Sequence, residues 1–299
     1  MASTTTVEPG RATTATAPAR RRRGIPWGTV RSYLGIALIV IFCLAPFYWM
    51  IVTSFRDVGF TFDNTPWPTH VTLDNYRTVF DTSLGNNFAQ ALLNSAIIGV
   101  CTTILAVMFG VFAAYALARL NFRGKFLVLG IVLGASMFPG VALLTPLFQL
   151  FTNIGWFGTY QALIIPDISF ALPLTIYVLT AFFSEMPWEL EQAALVDGAT
   201  PGQAFRKVIL PLAAPGLFTT AILAFIAAWN EYLLASQLSS DRTEPVTVAI
   251  AAFTGSQPQQ EPYTAIMAAG TVVTVPLVIL VLVLQRRIVA GLTAGGVKG

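Results

Sequence analysis

Six apolar stretches decide what this chain can fold into: Tyr33–Ser54, Ala91–Ala118, Phe126–Phe151, Ala162–Phe183, Leu212–Leu234 and Thr264–Leu284. Each is long enough to cross a hydrocarbon core of about 30 Å, which takes about twenty helical residues. Of the whole chain, 55% is hydrophobic and only 10% charged, whereas soluble domains carry about 25% charged residues. The expectation is an all-α integral membrane protein. A six-helix domain over residues 31–288 would follow a disordered tail, 1–30, and precede a short C-terminal tail, 289–299.

The net charge is +3, which in a soluble protein would invite a nucleic-acid reading. Its placement explains it better. With the N-terminus inside and sides alternating at each span, the inner segments hold Arg11, the run Arg20–Arg23, Arg31, Arg119, Arg123, Lys125, Arg206, Lys207, Arg286, Arg287 and Lys298. Only Arg56, Arg77 and Arg242 fall outside. The positive-inside rule then puts both termini in the cytoplasm, with no role for nucleic acid. The first span is too long for the apolar region of a signal peptide and lacks a clear cleavage site, so it is read as uncleaved. Cys43 and Cys101 lie within spans and say nothing of redox compartment.

Outside the membrane, the loop from Arg56 to Gln90 contains Pro66, Trp67 and Pro68, then a short helix near Asp74, and reads as a folded external cap. The loop from Ser239 to Tyr263 carries an apolar patch, Val246–Phe253, before a turn at residues 255–258. Such loops suit either contact with an external partner or coverage of helix ends. Proline falls within or beside several spans, at Pro46, Pro139, Pro146, Pro166, Pro173 and Pro276, and each removes a backbone donor and tends to kink its helix.

The most patterned polar segment runs from Glu189 to Pro211, within a 185–211 loop on the cytoplasmic side. A simple connector between neighbouring helices takes only a few residues. Here Gly198 is placed to end one helix, Thr200 to cap the next and Pro201 to occupy its first position. Ala193 and Ala194 leave the first helix (187–196) bare on one face, with Glu189, Glu191 and Asp197 around it. A helix lying on a membrane surface would show basic residues and large apolar anchors. This one is acidic and alanine-rich with Trp188 as its one large anchor, which favours seating in a partner protein's groove.

This segment resembles the Glu-Ala-Ala loop of ABC-importer permeases. Gln192, Ala193 and Ala194, then Gly198, then Val208, Ile209, Leu210 and Pro211 fall in register with that pattern. Gln192 stands where the motif has Glu, though Glu191 is adjacent, and Val208 replaces Ile. The C-terminal run from Gln285 to Gly299 is similar to the tail of the second permease of maltose-type carbohydrate importers, including actinobacterial trehalose or maltose importers. The resemblance extends from about Tyr33 to the end of the chain. It implies a type I importer fold and a heterodimer with a second permease subunit, set in membrane lipid. Two ATPase subunits and an extracytoplasmic sugar-binding protein complete the implied assembly. It further implies that Glu191, Gln192, Ala193, Ala194, Asp197, Gly198, Arg206 and Pro211 form the ATPase-coupling loop. The tail, with Gly295, Gly296 and Lys298, is implied to contact the ATPase.

The chain has no Gly-x-x-x-x-Gly-Lys-Ser/Thr phosphate loop. Its one histidine, His70, lies in an outer loop, and no nucleophile–base pair is visible. No catalytic residue, metal site or cofactor is expected on the chain itself, so ATP and Mg belong to the partner ATPase. Polar groups within the spans, Asn94, Gln149, Asn230 and Glu231, with Asp167 beside them, are candidates for a substrate path. Asp167 and Glu231 sit toward the outer ends of their spans, where interfacial or structural roles compete with sugar contact. A different cargo, such as glycerol phosphate, is the alternative. An ion-coupled secondary transporter would show deep ionisable groups and repeated halves, and this chain shows neither.

Overall fold

The computed structural model describes residues 27–253 and 262–294, and among these every regular element is helical. In chain order they are α1 (Trp27–Ser54), α2 (Asp74–Val79), α3 (Phe88–Arg119), α4 (Lys125–Ser136), α5 (Leu144–Asn153), α6 (Tyr160–Glu185) and α7 (Glu189–Val196). They continue with α8 (Pro201–Ala204), α9 (Leu210–Leu212), α10 (Ala214–Trp229), α11 (Ala235–Leu238), α12 (Val246–Ala251) and α13 (Tyr263–Ala294). Four helices, α1, α3, α6 and α13, are each long and apolar enough to cross a membrane. Two bent pairs of helices are long and apolar enough only when each pair is taken together, which gives four to six spans among the described residues.

Those bent pairs correct two of the expected spans. The third is not one helix: α4 ends at Ser136 and the chain turns by 84° before running on through Gly140–Asn153. Pro139 sits at the break in extended conformation (φ −68°, ψ 118°), and a residue before proline is pushed out of the helical region. The fifth is shorter than expected, because α10 stops at Trp229 and Asn230–Leu234 form a turn. At its start the chain bends by 71° between Pro201–Leu212 and Ala214–Trp229. Pro215 lies four residues after Pro211 and cannot donate to its carbonyl, which breaks the helical ladder at this point. Pro46, Pro166, Pro173 and Pro276 are instead absorbed within continuous helices.

The core is the bundle of α3, α6 and α10. Its helices approach closely where one of them carries glycine. A Cβ built on Gly110 of α3 would lie 2.5 Å from Thr175 Cγ2 of α6, and one on Gly216 of α10 would lie 2.6 Å from the Phe182 ring. Asn94, Ser95, Thr102, Thr219 and Thr220 are buried in this bundle. α1 is apolar along its length and its side chains from Tyr33 to Phe47 are largely exposed.

At the N-terminal end of α3, the loops expected outside come together. Val79, Phe88, Val246, Phe253 and Ala265 share one apolar cluster, and the Phe80 and Phe88 rings meet edge-on at 5.9 Å. The cap is a folded unit. Arg56 is fully buried, donates to the carbonyls of Asp63 and Thr65, and lies over the Trp49 ring at 4.8 Å. Asn75 donates to the carbonyls of Ser54 and Arg56 at 2.9 and 2.7 Å, so the short helix predicted near Asp74 locks the cap to the end of α1. Thr65 and Thr69 hydroxyls donate to Asp63 and hold its carboxyl below the ordinary carboxylate range. The turn at 255–258 lies outside the described residues. α13 runs past residue 288 to Ala294.

Candidate coupling surface

At the opposite end of α3, the patterned segment folds much as its sequence implies. α7 closes with a Schellman motif: Ala199 N–H reaches Ala194 O at 3.0 Å and Gly198 N–H reaches Leu195 O at 3.1 Å. That geometry places Gly198 at φ +88°, where a side chain is strained. Thr200 then forms a capping box with Gln203, its hydroxyl accepting from Gln203 N–H at 3.3 Å and its own N–H donating to Gln203 Oε1 at 2.9 Å. The chain continues through a turn of π-helix, Phe205–Ile209, into α9.

Two opposite faces result. Outward, Gln192, Ala193, Asp197, Gly198, Arg206 and Pro211 are exposed, and Ala194 is half-buried. Val196 is 87% exposed, with Leu190 and Leu195 beside it. Exposed apolar and small residues rimmed by charge have the composition that helix-in-groove docking uses.

Inward, Glu191 corrects its expected placement. It is only 7% exposed and turns back onto its own chain. It accepts a hydrogen bond from the Tyr115 hydroxyl of α3. Its other oxygen lies 3.8 Å from Arg119 Nε, too far for a hydrogen bond but close enough for electrostatic attraction in a site that water does not reach. Arg119 also donates to Met186 O at 3.1 Å and stands 5.2 Å from the Trp188 ring centroid. Tyr115 nests between Phe183 of α6, at 5.9 Å, and Phe205, at 4.7 Å. Ile209, Ala213, Leu179, Phe183, Val111 and Ala114 fill the apolar cluster beneath. α7 is therefore tied through buried contacts to α3, α6 and the segment that leads into α10.

The proposed substrate-path residues scatter. Asn94 is fully buried and its amide is spent on structure: it donates to the carbonyls of Arg242 and Glu244 at 3.1 and 2.9 Å, and accepts from Gln90 and Tyr160. These bonds anchor the loop before α12 and leave Asn94 no exposed surface. Gln149 is exposed on α5, and Asn230 is exposed with its amide turned onto Ile226 O. Glu231 is half-buried, its carboxylate accepting from Leu234 and Ala235 N–H at 2.7 and 2.8 Å. Gly295, Gly296 and Lys298 lie outside the described residues.

Residues 106–293 match the family model described as the binding-protein-dependent transport system inner membrane component. The chain belongs to this family. The stretch matched contains the coupling surface and both bent spans. A trehalose transport system permease protein of Mycobacterium tuberculosis is 50% identical over 93% of this chain and 99% of its own length. A trehalose/maltose transport system permease protein of Thermococcus litoralis is 43% identical over 89% of this chain and 95% of its own length. In the crystal structure of a bacterial ABC transporter that imports alginate, a chain superposes with a TM-score of 0.72 at 22% identity, covering 92% of this permease and 99% of that chain. The fold is that of a type I importer permease. The protein is thus a multi-pass, non-catalytic membrane subunit of an ABC transporter, with ATP hydrolysis on a separate subunit.

Sequence reasoning missed Tyr115 and Arg119 as the loop's anchors. Arg119 was counted only as inner-side charge. The available signal was a tyrosine and an arginine four residues apart on one helix face, at the polar end of an apolar span.

Proposed function

We propose that this chain is the second permease subunit of an ATP-driven importer for a di- or oligosaccharide of the trehalose/maltose class. It forms half of the translocation path, paired with a different permease subunit. Two ATPase subunits, with ATP and Mg bound to them, sit on the cytoplasmic side, where both termini of this chain lie. An extracytoplasmic sugar-binding protein delivers cargo to the opposite face. The outward face of α7, with the inward Glu191–Tyr115–Arg119 anchor behind it, is the observation that carries this reading. A helix rigidly tied to the bundle yet bare on its far side is built to receive force from a partner and pass it inward. Both inward-open and outward-open states are accessible to the bundle, and ATP and the loaded binding protein bias them through differential contacts. The extended likeness to trehalose and maltose permeases supports the cargo class.

Reconstitution in proteoliposomes with the companion permease, the ATPase and the sugar-binding protein tests the proposal. Uptake of trehalose or maltose that requires internal ATP and the binding protein is the expected result. Uptake of glycerol phosphate in preference to any disaccharide would overturn the cargo assignment. Assembly without an ATPase would overturn the coupling assignment.

A further inference from the structure

One cavity stands apart from the coupling surface. It has a volume of about 340 Å³ and lies where the broken end of α4 meets α6 and the last turn of α10, a size within the ~300–1,000 Å³ span of ligand pockets. Its walls include Ser136, Phe138, Phe170 and Ala227, and the two carboxyl groups facing it are Asp167 and Glu231. These two carboxyl groups differ in their commitments. Both Glu231 oxygens accept backbone N–H groups of the turn into α11. Asp167 is 93% buried, the complement of 7% exposure, and no hydrogen-bond donor among the described residues reaches it.

A buried carboxyl group within a membrane span and without hydrogen-bond partners is costly, and such a group faces a pathway or a partner. The chemistry of the cavity limits what supplies the missing donors. An anionic solute would meet two acidic groups. A hard divalent cation takes about six to eight oxygen ligands, and walls of phenylalanine and alanine do not provide them. A neutral polyol meets both demands, because its hydroxyls donate and its C–H faces pack on aromatic rings. Phe138 and Phe170 both present exposed ring surface there.

We propose that Asp167 is a solute-contacting residue of this permease, its carboxyl group accepting hydrogen bonds from the hydroxyls of a neutral sugar whose ring packs across Phe138 and Phe170. Glu231 shapes the site by holding the turn that closes it. The break at Pro139 acquires a purpose, since it swings Phe138 and Gly140 to the cavity rim in place of a straight helix. The proposal rests on the sugar-import reading above and extends it by assigning part of the substrate contact to this subunit.

The test uses the complete reconstituted importer and compares uptake of trehalose with uptake of its monodeoxy analogues. Asp167→Asn is expected to lower trehalose uptake about fivefold, and Asp167→Ala about tenfold or more, from the loss of hydrogen bonding to the solute. Both are expected to shrink the discrimination between trehalose and the analogue lacking the contacted hydroxyl, while ATPase retention on purification stays at the wild-type level. A merely structural role would lower assembly and leave that discrimination unchanged, which overturns the proposal. Should the Asp167 variants fail to assemble, Phe170→Leu decides on the same readout, and unchanged discrimination overturns the proposal. If the wild-type importer carries none of these sugars, the import reading falls and this proposal with it. If it carries them and Asp167→Asn behaves as wild type, the Asp167 assignment alone falls.

Discussion

Glu191 is the residue whose replacement separates an anchored coupling helix from a merely exposed one. The Arg119 and Glu191 side chains are 5% and 9% exposed, and their closest approach is 3.8 Å. Removing one partner of a buried pair costs about 3–5 kcal/mol, because a charge is left unpaired. The long separation, the Met186 carbonyl and the Trp188 ring retained by Arg119 place Glu191→Ala below that range, at about 2–3 kcal/mol. Glu191→Gln keeps an acceptor for the Tyr115 hydroxyl and loses only the charge, so about 1 kcal/mol is expected. The double variant Glu191→Leu with Arg119→Met removes both charges, which is near-neutral at many buried pairs, but it orphans the Tyr115 hydroxyl and the Met186 carbonyl, so about 1–2 kcal/mol is expected. The assay is the thermal midpoint of the purified transporter together with the fraction of ATPase subunit retained. The expected order of damage is Glu191→Ala, then the double variant, then Glu191→Gln. If the double variant is as impaired as Glu191→Ala, Glu191 acts on something other than Arg119 and the anchoring argument is wrong.

Other outcomes follow from the same geometry. Gly198→Ala has open space around it but a left-handed backbone, so a cost of about 1–2 kcal/mol is expected, read as weakened ATPase retention and slower transport. Gly110→Ala drives a methyl into Thr175 Cγ2 and is expected to cost about 1–3 kcal/mol in the thermal midpoint, with Thr175→Ser restoring most of it by removing that methyl. Asn94→Ala strips two carbonyls of the loop before α12 of their donor, and limited proteolysis between residues 240 and 253 should accelerate severalfold. Asp63 is held below its ordinary range mainly by the Thr65 and Thr69 hydroxyls. A carboxyl with a depressed folded value stabilises above its unfolded value and loses that contribution as pH falls through the folded one. Proteolysis of the 57–72 loop should therefore rise only below about pH 4, and Asp63→Asn should abolish that dependence.

The hydrophobic runs made the membrane segments legible, because a residue buried in lipid has to be apolar whatever it packs against. They could not reveal the breaks at Pro139 and Pro215. Proline lies within continuous helices at Pro46, Pro166, Pro173 and Pro276 and beside sharp bends at Pro139 and Pro215, so its presence alone does not mark a break. The helix–turn–helix of the coupling segment was readable to the residue, since Gly198, Thr200 and Pro201 act through local backbone geometry alone. Which way Glu191 points was not readable, because it depends on Tyr115 and Arg119, more than seventy residues earlier. The same limit explains the substrate-path residues. Asn94 and Asp167 both look like polar intrusions in a span, yet one is saturated by distant carbonyls and the other opens onto a cavity.

The central claim is that the outward face of α7 receives an ATPase subunit. A photo-reactive amino acid placed at Ala193, exposed on that face, tests it directly in the assembled transporter. The account predicts a cross-link to the ATPase whose yield changes between nucleotide-free and ATP-bound states, with no such product from the same probe at Val248 near the opposite end of the bundle. Cross-linking of the Ala193 probe to lipid alone, in every nucleotide state, would contradict it.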